Sequence, residues 1–209
     1  MIACRLVFCR HWSLLLWALL LVGCLGPSNT TTLHTLQPVR QQPLTSDWKN
    51  LSELTLLMPV QLAPHLQGRG LLIQQASGEA RASATHLWAG PLEQQISQQL
   101  VAGLKDLLAT ENVAAFPGPR FGTLRYQIEV EVSEFSGDRQ QFSTTAVYTL
   151  SDAAAKTILT RQTFRQTRPI DKPEQSSYVI SASEAIADLS REIAVSLLAA
   201  HNPNILKRP

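Results

Sequence analysis

The chain has 209 residues, of which 44% are hydrophobic and 16% charged, and a formal net charge of +2. That excess belongs to the start of the chain: residues 1–23 carry Arg5 and Arg10 and no acidic residue, and the remainder balances sixteen basic against sixteen acidic side chains. No basic stripe is left to displace counterions, which excludes a nucleic-acid partner. Of the three cysteines only Cys24 lies outside residues 1–23, so a processed chain forms no internal disulfide and relies on its core, for which its length suffices.

The two arginines precede an apolar block from Leu14 to Val22, the order of a secretory signal. A helix crossing a ~30 Å hydrocarbon core needs about twenty apolar residues, roughly twice that block. A signal peptide over residues 1–23 is therefore expected rather than a permanent span. The block ends in Leu21-Val22-Gly23-Cys24, which resembles the lipobox of bacterial lipoproteins. The resemblance implies cleavage between Gly23 and Cys24, a diacylglyceryl thioether on Cys24, and acylation of the new amino terminus, with palmitate among the chains. Three chains at about 0.8 kcal/mol per buried methylene exceed the two-signal threshold for stable anchoring. The next residue is Leu25 and not Asp, which by the same resemblance favours the outer membrane, facing the periplasm.

Residues 24–50, rich in Thr, Gln, Pro and Ser, read as the lipidated cysteine and a flexible tether, with "TLHTLQP" forming an edge strand at the entry to a single domain over residues 51–209. Leu54–Leu62 reads as a buried strand because it contains Pro59 and ends at Pro64. Gly68 and Gly70 mark a turn before a strand from Leu71 to Gln75. A helix follows Trp88-Ala89-Gly90-Pro91, with Gly90 as its cap, Pro91 at its first position and Glu93 near the positive end of its dipole. Its apolar stripe is Leu92, Ile96, Leu100, Leu104 and Leu107, and it ends near Ala109. After a short segment from Val113 to Phe116, Arg125–Phe135 alternates with Tyr126, Ile128, Val130 and Val132 on one face and Gln127, Glu129, Glu131 and Ser133 on the other. Gly137-Asp138 turns the chain into Phe142–Leu150, and a second turn leads into Thr157–Arg168, an antiparallel meander. A last helix over residues 177–200 buries Ile186, Leu189, Ile193 and Leu197. The pattern predicts a compact single-domain α/β or α+β sandwich with two main amphipathic helices against a mostly antiparallel sheet.

Glu129 and Glu131 project from one strand face, and paired carboxylates are what glycoside hydrolysis uses, but a solvated sheet face explains them as well. His34, His65, His86 and His201 have no neighbour at metal-ligand spacing, and nucleophile elbow, phosphate loop and dinucleotide fingerprint are all absent from the sequence. No catalytic residue, metal or cofactor is expected. Trp88, with Pro91, is either a core anchor beside a helix start or a candidate interface.

The lipobox, "LLMPVQLAPHLQGRGLLIQQ", "LWAGPLEQQISQQLVAGL", "RYQIEVEVSEFSG" and the closing helix together resemble the auxiliary lipoproteins of ABC-type transport systems, the paraquat-inducible protein C-like family. Trp88-Ala89-Gly90-Pro91-Leu92 matches that family's Trp-Ala-x-Pro-Leu pattern. The resemblance implies an α/β single-domain sandwich, similar to the N-terminal domain of the Tol-system propeller protein, with a mixed, largely antiparallel sheet of about five strands. It also implies a non-catalytic lipoprotein that works with a periplasmic MCE-domain protein and an ABC permease complex in lipid transport or membrane integrity. A phospholipid ligand and a homo-oligomer are further partners in keeping with it. The competing reading is an activator or assembly lipoprotein of another envelope machine, for peptidoglycan synthesis or lipopolysaccharide export.

Overall fold

Alternation of apolar and polar residues from Leu124 onward builds the strand around which everything else is arranged. In the computed structural model, which describes residues 30–44, 53–75, 79–118, 122–138, 140–170 and 175–201, nine strands form one mixed sheet. They are β1 (Thr32–His34), β2 (Leu54–Leu57), β3 (Gln61–Leu62), β4 (Gly70–Gln74), β5 (Ala80–Trp88), β6 (Val113–Ala115), β7 (Leu124–Gly137), β8 (Gln141–Asp152) and β9 (Thr157–Pro169). Helix α1 (Leu92–Leu108) lies between β5 and β6, and α2 (Gln175–His201) closes the described chain.

One edge of β7 pairs antiparallel with β8, which pairs antiparallel with β9. Along its other edge β2, β3 and β4 follow one another end to end, all parallel to it. Beyond them β6 flanks β2, while β5 and then β1 flank β4. The long ladders are thus antiparallel, as expected, but nine strands replace the expected sheet of about five. The expected single strand Leu54–Leu62 is two, because Pro59 has no N–H to give the ladder. Pairing with β7 resumes on either side of it, through the Met58 N–H to the Ile128 carbonyl at 2.8 Å and the Ala63 N–H to the Val132 carbonyl at 2.9 Å. Strand β5 was missed by periodicity because "ARASATHLW" is exposed along its first half and carries few large apolar residues.

In β7 the buried side chains are Tyr126, Ile128, Val130 and Val132, then Phe135. The phase changes because the register with β8 shifts between Val132 and Glu134. Ser133 is the extra residue of this bulge, and it turns Phe135 inward and keeps the Glu134 carboxylate outside the core. Phe135 then meets Phe142 edge to face at 4.9 Å, and Phe142 meets Tyr178 of α2 in the same way.

Both helices cover the same sheet face. The stripe of α1, from Leu92 to Leu107, is buried as expected, but the helix starts one residue later: Pro91, with φ −54° and ψ 126°, is the capping residue, not Gly90. The two helices approach closely where Gly103 faces Ser190. A Cβ on Gly103 would lie 2.8 Å from Ser190 Oγ and 2.9 Å from its Cβ. Helix α2 is tied to the outermost strand by Arg168 of β9, which bonds Glu184 through Nη1 at 2.7 Å and Asp188 through Nε at 3.1 Å and through Nη2. No helix among the described residues is long and apolar enough to cross a membrane.

Candidate functional site

Residues 31–44 fall within the expected tether, and the edge strand expected there is present as β1, but the stretch is not free chain. Instead it forms a strap laid across both helices. Leu36 is 5% exposed and joins the core. Its N–H donates to Gln95 Oε1 at 2.9 Å, and Gln99 Nε2 donates back to its carbonyl at 3.4 Å. The Gln37 N–H reaches Ser183 Oγ at 2.8 Å, and Gln41 Nε2 reaches the Ala187 carbonyl at 2.9 Å. The Leu44 N–H satisfies the Leu107 carbonyl at 2.8 Å, one of the last-turn acceptors that α1 cannot satisfy by itself. Gln95 and Gln99, off the apolar stripe of α1, thus hold the strap in place.

The strap begins at β1, which adds parallel to β5. There the structure joins two histidines 52 residues apart: His34 Nε2 lies 3.1 Å from His86 Nδ1. The ring centroids are 5.4 Å apart, so both nitrogens lie close to the line between the rings. They face each other along one hydrogen bond and do not converge on a point beside it, as two ligands of one metal would. Burial, and then the proximity of His86, hold the His34 pKa below its ordinary value. Strand register was needed to see this pair, because no local spacing encodes it. His65 lies in the short 3₁₀ turn Pro64–Leu66, and His201 Nδ1 lies 3.2 Å from the Tyr126 hydroxyl. No group of three or more potential ligands gathers among the described residues.

The sheet face away from the helices is polar. Cross-strand register aligns Glu129, Thr149 and Arg161 in one row and Glu131, Val147 and Thr163 in the next. Glu129 and Arg161 are two strands apart, about 10 Å, and form no ion pair. With Gln61 and Glu131 they line a shallow cleft of about 180 Å³. A wider cleft of about 530 Å³ adjoins at Gln61 and is bounded by Val60, Leu62, Gln67 and Glu93. Both carboxylates lie on this open face, with water around them rather than a walled site.

Trp88 is not available as an interface residue: it is 2% exposed and packs against Phe135 with centroids 6.3 Å apart. It anchors the end of β5 in the core, which corrects the interface reading, whereas Pro91 is exposed at the helix start. Gly23 and Cys24 lie outside the described residues.

A sequence model of the family of ABC-type transport auxiliary lipoprotein components matches residues 34–194, from β1 to the last turns of α2. The chain belongs to this family. Among curated relatives, the auxiliary lipoprotein is 30% identical over 128 residues to the intermembrane transport lipoprotein PqiC of Escherichia coli K12, and equally to that of Shigella flexneri. The match takes in 61% of this chain and 66% of the relative, slightly less than two thirds of the relatives' length. Among solved structures, a Xanthomonas campestris protein superposes with a TM-score of 0.69 at 16% identity, covering 83% of this chain and 98% of that one. An uncharacterized protein superposes at 0.67 with 20% identity, covering 80% and 99%. At such identities these structures establish the shared α/β fold alone.

Proposed function

We propose that this auxiliary lipoprotein is a non-catalytic accessory of an envelope transport system. It is attached to the outer membrane through Cys24, faces the periplasm and docks on an MCE-domain protein that links it to an ABC permease complex. The observation that carries this reading is the span of the family match, which covers the folded body from β1 into α2 and not a single motif. The polar clefts support a docking role rather than catalysis, since Glu129 and Glu131 stand on an open face. The strap adds a distance. Between Cys24 and Thr32 the extended chain reaches about 29 Å at most, whereas a free tether over residues 24–50 would reach about 90 Å. On this reading the body is held close to the bilayer surface.

Photo-crosslinking in intact cells from positions 67 and 93, at the wider cleft, tests the proposal. Capture of an MCE-domain protein, lost in Cys24→Ala while the isolated variant keeps the wild-type circular dichroism, is the expected result. Capture only of peptidoglycan-synthesis or lipopolysaccharide-export components contradicts it.

A further inference from the structure

Among the described residues most open edges of the sheet are short: β1 and β6 have three residues each, β3 has two, and β1 leaves only the first six residues of β5 unpaired. The long one is β9, with thirteen. Proteins blunt open edges with short strands, prolines, bulges or inward charges. Strand β9 has such devices only at its ends. The register with β8 shifts between Leu150 and Ser151, opposite its start, and at its far end Pro169 and the inward Arg168, which is bonded to Glu184 and Asp188, close the strand. Between them residues 160–167 present a regular row of backbone donors and acceptors with no proline.

The side chains along this row carry one sign. Arg161 and Arg165 share the face away from the helices by their pairing with Thr149 and Thr145. Both are exposed, and neither has a side-chain hydrogen bond or ion-pair partner among the described residues. Ile158, 65% exposed, and Leu159, 42% exposed, lie just before them. We infer that β9 is a docking edge for an extended acidic segment of a partner protein, which adds as a further strand with carboxylates opposite Arg161 and Arg165 and an apolar residue near Ile158. Opposite charges directly across a strand pair stabilise it, and like charges oppose it. A second copy pairing antiparallel about Thr163 would set Arg161 against Arg165 of its partner, so charge favours the acidic strand. This inference does not depend on the identity of the transport partner.

The test uses the full chain in detergent and a fluorescent probe peptide of alternating threonine and valine with two glutamates four residues apart. The glutamate peptide is expected to bind about tenfold more tightly than its lysine counterpart, and R161E/R165E should reverse the preference, which also shows that the variant is folded. Amide exchange should slow within residues 160–167 when the peptide is added. Equal binding of both peptides, no binding by either, or unchanged exchange in β9 would overturn the inference. Concentration-dependent self-association of the wild-type chain that slows amide exchange within residues 160–167 without peptide would also overturn it, in favour of a second copy.

Discussion

Gly103 shows how a single residue sets the distance between two helices. Replacing it with Ala gains helix propensity of about 1 kcal/mol. The new Cβ, however, falls within 2.9 Å of Ser190, which is fully buried and bonded to the Ile186 carbonyl, and 3.1 Å from Gln41 of the strap. Overpacking costs typically 1–3 kcal/mol, so Gly103→Ala is expected to lower the urea midpoint. Ala109 offers the opposite case. It ends α1 in the left-handed region, φ 50° and ψ 43°, where a glycine carries no steric penalty, and Ala109→Gly is expected to stabilise the fold by about 1 kcal/mol in the same titration. His34 adds a pH dependence. Its pKa is lower in the folded chain than its ordinary value of 6.5, so the unfolded chain takes up the proton first. The stability His34 contributes is therefore complete above about pH 6.5 and is lost as pH falls through the folded pKa. The urea midpoint should drop on acidification, and His34→Gln should flatten that part of the drop.

At the scale of elements, what the sequence revealed depended on periodicity. The stripe of α1, the alternation of Tyr126 to Val132 and the meander of β7 to β9 were readable because each follows one repeat against one buried face. The strap was not, since Leu36 is the one buried side chain in a polar run and the remaining bonds are to Gln95, Gln99, Ser183 and the Leu107 and Ala187 carbonyls, far away in sequence. Likewise the docking of β2, β3 and β4 along one edge of β7 depends on long-range pairing that no local pattern expresses. The strap is expected to contribute to stability and not merely to connect. Leu36→Ala should cost about 2–5 kcal/mol, the range for a buried leucine, and should expose residues 31–44 to protease before the meander. If residues 31–44 remain as protected as in wild type, the strap is not held by its core contact.

For the whole molecule, the fold sets three surfaces apart: the strap on the helix layer, the shallow cleft at Glu129 and Glu131 on the open face, and the long edge at β9. Candidate sites were only partly readable. Cys24 is carried by a local motif, and Glu129 and Glu131 by strand alternation. The pairing of His34 with His86 and the exposure of β9 follow only from register, and Trp88 proved to be core because β5 ends under Phe135. On the proposed reading these surfaces belong to a body tethered to a membrane through Cys24. The most direct test of that account is the intact mass and the amino-terminal peptide of the protein isolated from membranes. The expected chain begins at Cys24 and carries a diacylglyceryl thioether and an amide-linked acyl chain. A chain that retains residues 1–23, or one whose Cys24 is unmodified, would contradict it.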